Sequence, residues 1–353
     1  MFHLQIKPAL AAFCLALASG PAAAEQISFE DQIGRQVTLD GVPKSVVSLA
    51  RPAPAMVLSM AKDGSVMDGM NKSTFKALKQ GVFPEFFPEF LNASTKTTGK
   101  DRDANIEEIL RINPDIVLQW GRAGKSIKAL EAAGLKVAAL RYTKDNIAQH
   151  WLRDLGIMFQ QSDRVKEIFE WHDQVAADLK AKVGEIPEDQ KQSVLYMRAP
   201  NEAAGPFSHF QKYVELAGLR NILEDSAFVE VDAEMILLGD PDVIWLFGPN
   251  PKVSPKIFYE NPIYADLKAV KSKRIYKVPL GGARWDPPNQ ESPLAWEWYV
   301  RTAHPKLLDG SIRESITAAY PLLYGQVPTD AQMDRILRMD QNAGAADYDL
   351  IAK

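Results

Sequence analysis

The chain has 353 residues, of which 46% are hydrophobic and 24% are charged, and its formal net charge is −4. This length accommodates two domains, and this composition is typical of a soluble globular protein. Since the sequence has no basic tail and no block of Lys and Arg, its charge gives no reason to expect a nucleic acid partner.

Residues 1–24 have the layout of a secretory signal peptide. Lys7 supplies the positive charge, and Ala22 and Ala24 form an A-x-A cleavage site after an apolar stretch. That stretch is too short for a membrane span, which needs about 20 apolar residues. Cys14, the only cysteine, lies inside this segment after Phe13, which is too large for a lipoprotein cleavage site. We therefore predict a periplasmic protein that is not a lipoprotein and does not rely on disulfides.

Residues 25–161 are predicted to form an N-terminal lobe. Two alternating runs around Gly34 predict a β-hairpin over 28–40. Strands are expected at 45–50, 66–70, 116–118 and 135–140, with helices at 55–62, before Pro114, before Gly134 and at 146–160. The stretch 71–103 contains F-P-E-F-F-P-E-F at 83–90, and we interpret it as a short helix and loop on the rim of this lobe.

One sequence unit occurs twice. Residues 104–120 read as an apolar helix, then Pro114-Asp115, an apolar strand and a loop with Gly121, and residues 232–246 repeat this order around Pro241-Asp242. Proline cannot continue a helix, and the β-branched run after it is typical of a buried parallel strand. Two such units predict two similar α/β lobes.

A single long helix is predicted between the lobes, within the connecting segment 162–186. Apolar residues recur at spacings of three and four over 163–184, and Pro187 ends the pattern. A helix of about 22 residues is about 33 Å long, enough to cross the back of two lobes.

Residues 187–353 form the predicted C-terminal lobe. Its expected strands are 193–197, 243–246 and 274–278, and a loop is expected at 198–207. Its expected helices include 210–217, 291–303, 309–320 and 329–337. The tail beyond Met339 is expected to be loosely ordered.

The order of several motifs resembles that of the class III, helical-backbone periplasmic substrate-binding proteins of ABC importers for iron-siderophore complexes, haem and vitamin B12. The motifs are D-Q-I-G-R-Q-V-T-L (31–39), N-I-E-E-I-L…N-P-D-I-V-L (105–118), A-G-L-R-N-I (217–222), V-D-A-E (231–234) with P-D-V-I (241–244), and P-L-A-W-E-W…H-P (293–305). The resemblance implies two Rossmann-like α/β lobes with parallel sheets, joined by one backbone helix, with the ligand cleft between them.

The resemblance also implies the partners. In this family one surface glutamate of each lobe pairs with an arginine pocket of the permease, and by motif position these are Glu107 and Glu234. The partners would then be an ABC permease with its ATPase and a small-molecule metal chelate, and the protein would be a monomer without a cofactor. Helix capping and interaction with the helix dipole are the alternative roles for both glutamates.

The loops after the predicted strands supply the candidate ligand-binding residues. Open α/β sheets bind ligands at the carboxyl ends of their strands. Arginines at this edge would grip carboxylate, phosphate or catecholate oxygens, and interleaved aromatic rings would add stacking and cation–π contacts. The candidates are Arg51, Trp120, Arg122, Tyr142, Arg198, Phe207, His209, Arg284 and Trp285; Arg141 and Phe247 lie in the same loops.

The loop 281–293, G-G-A-R-W-D-P-P-N-Q-E-S-P, is the most unusual of them. Gly281 and Gly282 permit close backbone approach, and Arg284 and Trp285 are placed to project into the cleft. Asp286 and Glu291 are candidate caps of the next helix.

His209 is the one histidine predicted at the mouth of the cleft, where it is a candidate ligand of a chelated metal. His150 and His172 are expected to pack on helices, and His304 is expected to be structural. Neither H-x-H, H-E-x-x-H nor a cysteine cluster occurs, so the sequence does not support a bare-metal site.

The preferred function is capture of a ferric siderophore for an importer. Haem, a corrinoid, and a nickel or cobalt chelate are alternatives within this class, and a receptor-coupled sensor of the same ligand is a third possibility. An exported α/β enzyme with its active site in the cleft is the alternative from another class. Against it, G-R-A-G-K-S (121–126) lacks the first glycine of a phosphate loop, since position 119 is Gln, and there is no G-x-S-x-G motif.

Overall fold

The structure is a computed structural model that describes residues 26–99, 103–141, 147–224 and 226–352, with only the backbone of Ile147 and Ala148. The predicted signal peptide and Tyr142 lie outside the described residues.

The N-terminal lobe contains a four-stranded parallel sheet of order β4-β3-β5-β6, and a separate antiparallel hairpin, β1-β2. Its strands are β1 Ile27–Glu30, β2 Gln36–Leu39, β3 Val46–Ser48, β4 Met67–Met70, β5 Ile116–Trp120 and β6 Val137–Leu140. Its helices are α1 Ala53–Ala61, α2 Lys72–Leu78, α3 Phe83–Phe86, α4 Ile106–Ile112, α5 Gly124–Ala132 and α6 Ile147–Met158. The predicted order of elements is confirmed.

The connecting helix α7, Ser162–Val183, has 22 residues. Its buried side chains include Val165, Ile168 and Leu179, at the three-to-four spacing that the sequence shows. It packs against α6 of the first lobe and against a helix of the second lobe, residues 292–303. The long backbone helix is therefore confirmed to within a residue at each end.

The C-terminal lobe has a six-stranded mixed sheet. Its strands are β7 Ser193–Ala199, β8 Glu202–Ala204, β9 Arg220–Asn221, β10 Phe228–Glu230, β11 Val243–Leu246 and β12 Ile275–Lys277. Strands β9, β7, β11 and β12 pair in parallel, whereas β8 pairs antiparallel with both β7 and β10. The prediction that 198–207 is only a loop is wrong, because the chain folds back there as β8.

The helices of this lobe continue to the end of the chain. They are α8 Gln211–Leu216, α9 Ala233–Gly239, α10 Lys256–Tyr259, α11 Lys268–Lys271, α12 Ser292–Ala303, α13 Ile312–Tyr324, α14 Asp330–Ile336, α15 Met339–Asn342 and α16 Tyr348–Ile351. The expectation of a loose tail is wrong. Asn342 is fully buried and bonds to the backbone N–H and C=O of Lys277, while the buried hydroxyl of Tyr348 accepts a hydrogen bond from Trp298.

The repeated unit has a physical explanation in both lobes. Helices α4 and α9 are followed by the C-cap residues Asn113 and Asp240, both in the left-handed conformation, and a proline comes after each. The carboxylate of Asp115 then accepts hydrogen bonds from the backbone N–H groups of Lys44 and Ser45, just before β3. The carboxylate of Asp242 accepts from the N–H and hydroxyl of Ser193, at the start of β7. Each Pro-Asp pair therefore ends a helix and fixes the neighbouring parallel strand.

The aromatic segment 83–90 does not lie on a rim, contrary to the sequence interpretation. Phe83, Phe86 and Phe87 are buried and pack edge-to-face against Tyr324 of α13. The carboxamide of Gln326 also donates a hydrogen bond to the carbonyl of Phe86. One hydrophobic core thus runs through both lobes, with a smaller core beside each sheet.

Candidate functional site

An interlobe cavity of about 160 Å³ lies between α1 and α2 of the first lobe and the loop 280–289 of the second. Arg51 and Ser73 line it from the first lobe, and Arg284 and Asn289 line it from the second. The hydroxyl of Thr74 donates a 3.1 Å hydrogen bond to the carbonyl of Arg51, which holds the turn before α1. Two of the predicted arginines, from different lobes, therefore meet at one cavity.

The loop that carries Arg284 is folded around the buried carboxylate of Glu291. Oε1 accepts hydrogen bonds from the N–H groups of Gly282 (2.9 Å) and Ala283 (3.3 Å) and from the hydroxyl of Tyr324. Burial raises the pKa of Glu291 to about 7, although these donors favour the carboxylate. Glu291 occupies the N-cap position of the helix 292–303, as expected, but its side chain makes no capping hydrogen bond and holds the preceding loop instead.

Trp285 lies under this loop. Its side chain is only 1% exposed, and its indole Nε1 donates a 2.6 Å hydrogen bond to Oε2 of Glu291. The sequence placed Trp285 in the cleft, whereas the structure buries it, because Glu291 holds the indole from inside. A Cβ on Gly282 would lie 2.4 Å from the ring of Phe83, so only glycine allows the loop to sit this low.

Arg284 stays at the cavity wall, held by two kinds of contact. Its guanidinium forms a 2.8 Å ion pair with Asp286, whose side chain is buried. It also lies over the ring of Phe247, 4.8 Å from the centroid. The structure thus gives Asp286 the role of orienting Arg284, because its carboxylate holds the guanidinium in place. A guanidinium has five N–H donors, so these contacts leave donors for an anion.

Arg198 approaches the same phenylalanine. Its guanidinium lies 5.9 Å from the ring centroid of Phe247 and 4.2 Å from that of Phe228, and it pairs with Glu202 at 2.8 Å. Arg198, Phe228, Phe247 and Arg284 together form what we call the arginine–phenylalanine cluster. The sequence indicates Arg198 because it directly follows a predicted strand, and Arg284 because it lies beside Gly and Pro in the loop 281–293. It gives no signal for Phe228, which lies on β10 and reaches the cluster through antiparallel pairing with β8.

His209 stands beside this cluster. Its ring lies 4.0 Å from that of Phe210. Burial lowers the pKa of His209 to about 4; Asp286 opposes this shift, and Arg198 and Arg284 add to it. The imidazole is therefore neutral at pH 7 and able to accept a hydrogen bond or ligate a metal. Phe207, also predicted, is 64% exposed.

Trp120 and Arg122 lie in a different place. With Ile33 and Arg141 they line a separate hollow of about 410 Å³ at the carboxyl ends of β5 and β6, which shares no residue with the interlobe cavity. The guanidinium of Arg122 lies 5.1 Å from the ring centroid of Trp120, and Trp120 also forms an edge-to-face pair with Trp151.

The two glutamates predicted to dock a permease are both exposed, in the first turns of α4 and α9. The neighbouring Glu108, and not Glu107, forms the 2.8 Å ion pair with Arg111. The helix N-termini are capped by the side chains of Asn105 and Asp232. The alternative role of capping is therefore filled by other residues in both helices.

The other histidines that the structure describes make structural contacts or face outward. His172 is buried against the carbonyl of Gln290, and His304 contacts the carbonyl of Ala217 at 2.8 Å. His150 is exposed, so the prediction that it packs is wrong. Within the described ranges, no three His, Cys, Asp or Glu side chains are grouped as a metal site would need. No helix in that part of the chain has the length and apolarity to span a bilayer.

The chain belongs to the family described as periplasmic binding protein, whose sequence pattern matches residues 59–280. The two α/β lobes and the single connecting helix are the architecture of its class III members.

Known proteins resemble the chain over most of its length. The iron-uptake system-binding protein of Bacillus subtilis is 24% identical over 225 residues, which are 58% of this chain and 69% of the relative. The Fe(3+)-citrate-binding protein of the same organism is 25% identical over 187 residues, and the match spans 51% of this chain and only 58% of that relative. The crystal structure of a periplasmic solute binding protein from Veillonella parvula superposes with a TM-score of 0.84 and 25% identity, and covers 90% of this chain and 99% of that one.

Proposed function

We propose that this protein captures a metal chelate, with a ferric siderophore as the first candidate, and delivers it to an ABC-type importer without chemical change. The observation that carries the proposal is the arginine–phenylalanine cluster beside the interlobe cavity. Charged, bidentate guanidinium donors and aromatic faces suit an anionic and partly planar chelate. The relatives named as an iron-uptake system-binding protein and an Fe(3+)-citrate-binding protein support the choice of iron.

The proposed ligand contacts are divided between the lobes. Arg51 approaches from the first lobe, and Arg198, Arg284, His209 and Phe207 approach from the second. Trp120 and Arg122 would contact a larger chelate that extends over the edge of the first sheet. Haem, a corrinoid, or a nickel or cobalt chelate are the other candidates for the same site.

The proposed partner is an inner-membrane permease with its ATPase. Glu107 and Glu234 are exposed at equivalent positions of a repeated unit, as a surface that docks on both halves of a permease requires. The proposal includes export to the periplasm with cleavage after Ala24, and a monomeric state. A sensor role would use the same ligand site but need no importer, and an exported enzyme would show turnover.

The test is a binding screen by quenching of intrinsic fluorescence. Ferric siderophores, ferric citrate, haem, cobalamin and nickel–histidine are titrated into the purified protein. We expect one of them to bind with a Kd below about 10 μM, which is about 7 kcal/mol. Arg284→Ala and Arg198→Ala should each weaken it by at least about ten-fold. Arg153→Ala, which removes an exposed arginine of α6, should not. Binding of none of these compounds would contradict the proposal.

A further inference from the structure

A second cavity, of about 400 Å³, lies where the C-terminal lobe meets the end of α2. We call it the lateral cavity. Gln80 lines it from the first lobe, and Gly248, Tyr259, Arg338 and Gln341 are among the residues that line it from the second. It shares no residue with the interlobe cavity, and its volume is in the range of small-molecule sites.

The charge of this lining is positive. Lys256, Lys277 and Arg338 are basic, and Asp340 is the one acidic residue among the lining residues, which leaves an excess of two positive charges when Lys277 is protonated. Asp340 is exposed, whereas Lys277 is only 1% exposed. The positive charge therefore lies deeper than the acid.

The amino group of Lys277 is held in a fixed position in the floor, and its charge depends on pH. Its Nζ donates hydrogen bonds to the carbonyl oxygens of Phe247 (2.6 Å), Asn250 (2.7 Å) and Val253 (2.5 Å). These bonds use all three donors of the ammonium group. Burial, followed by repulsion from Arg338, lowers the pKa of Lys277 to about 7, so the two cations are close enough to repel each other.

Arg338 is the side chain with donors to offer. Its Nη2 donates to the carbonyl of Gly248 at 3.3 Å. Its Nε is buried and has no acceptor among the residues that the structure describes. Its backbone is left-handed, with φ of 55°, a costly conformation for a residue other than glycine. A buried N–H without an acceptor is also costly, and an oxyanion is the acceptor that a guanidinium binds best.

We propose that the lateral cavity binds a small organic anion whose carboxylate or phosphate group pairs with the guanidinium of Arg338. Protonated Lys277 would strengthen this pairing, and Pro249, Pro251 and Ile275 would contact the organic body. This site is additional to the chelate site and does not depend on the identity of the cargo.

The test is calorimetric titration of the purified protein with inorganic phosphate and with succinate, each against sodium chloride at equal ionic strength. We expect saturable binding of at least one probe, and the tighter one identifies the head group. Arg338→Gln should weaken it by more than about ten-fold. Lys252→Gln is the matched control. It removes an exposed positive charge next to Pro251, from a residue that does not line the cavity, and should leave binding unchanged.

A second variant tests the site independently, in case Arg338→Gln does not fold. Gly344 lines the cavity, and a Cβ there would meet nothing within 4 Å, so the wall accepts a side chain at this position and Gly344→Phe should narrow the cavity. We expect it to abolish binding of the probe and to keep the circular dichroism spectrum. Arg284→Ala should still bind the probe, which separates this site from the chelate site. Absence of saturable binding to the wild type, or wild-type affinity in Gly344→Phe, would overturn the proposal.

Discussion

The indole Nε1 of Trp285 donates a 2.6 Å hydrogen bond to Oε2 of Glu291, and both side chains are buried. Through this bond and those of Gly282 and Ala283, one carboxylate sets the course of the loop that presents Arg284. The stability of the loop therefore depends on the protonation of Glu291.

The first prediction concerns pH. Since burial raises the pKa of folded Glu291 from 4.5 to about 7, the folded state retains its proton where the unfolded state loses it. Protonated Glu291 therefore contributes up to about 3 kcal/mol to the free energy of unfolding below pH 4.5, and this contribution is lost as the pH rises to 7. Urea unfolding of the wild type and of Glu291→Gln at pH 5 and pH 8 measures this loss. The variant should be less stable, because its NH2 group replaces one carboxylate oxygen and faces a donor, either Trp285 Nε1 or the N–H groups of Gly282 and Ala283. It should also lack this pH slope. An unchanged slope would contradict the assignment.

The second prediction concerns the repeated Pro-Asp units. Asp242→Ala should lower the free energy of unfolding by about 2 kcal/mol, because the N–H and hydroxyl of Ser193 lose their acceptor. Asp115→Ala should have a similar effect through Lys44 and Ser45. Denaturant titration measures both. Glu260→Ala, which removes an exposed acid, is the control and should change stability little. Equal effects of all three substitutions would show that the Pro-Asp carboxylates have no special role.

The third prediction concerns the contact between the lobes. A Cβ on Gly81 would lie 2.1 Å from the carbonyl oxygen of Gly281, so Gly81→Ala must push the two backbones apart. We expect it to lower the free energy of unfolding by about 2 kcal/mol and to weaken chelate binding. Gly124→Ala is the matched control, since a Cβ on Gly124 meets nothing within 4 Å. Wild-type stability and affinity in Gly81→Ala would show that the lobes separate without cost.

The fourth prediction concerns docking. Glu107→Ala and Glu234→Ala should leave chelate binding intact and reduce uptake in a reconstituted importer, with more than about a ten-fold loss for the double variant. Glu170→Ala, which removes an exposed glutamate of α7, should transport normally. Normal uptake by the double variant would reject the docking role.

The repeated units could be predicted because their signals are local. Pro114 and Pro241 end their helices wherever those helices lie, and the apolar runs after them form strands by periodicity alone. Arg198 could be predicted on similar grounds, since it directly follows a predicted strand and parallel strands bring their ends together. Arg284 could be predicted because it lies beside Gly and Pro in the unusual loop 281–293.

The predictions that the structure contradicts concern residues whose positions depend on contacts with distant parts of the chain, which no local sequence pattern encodes. The burial of Trp285 needs a carboxylate six positions later, and the burial of Phe83 needs Tyr324 from the far end of the chain. The order of the tail could not be predicted for the same reason, because Asn342 is held by hydrogen bonds to the backbone of β12, which is distant in the sequence.

The packing of segment 83–90 on α13 also determines the order in which the molecule can be completed. Gln326 and its acceptor, the carbonyl of Phe86, are 240 positions apart. During synthesis or translocation from the N-terminus, the first lobe emerges with Phe83, Phe86 and Phe87 uncovered, and it stays so until nearly the whole second lobe has followed. Exposed apolar surface of this kind is prone to aggregation and is slow to find distant partners. Truncation of the chain before α13 would therefore also destabilise the N-terminal lobe, because Phe83, Phe86 and Phe87 would lose their contacts with Tyr324.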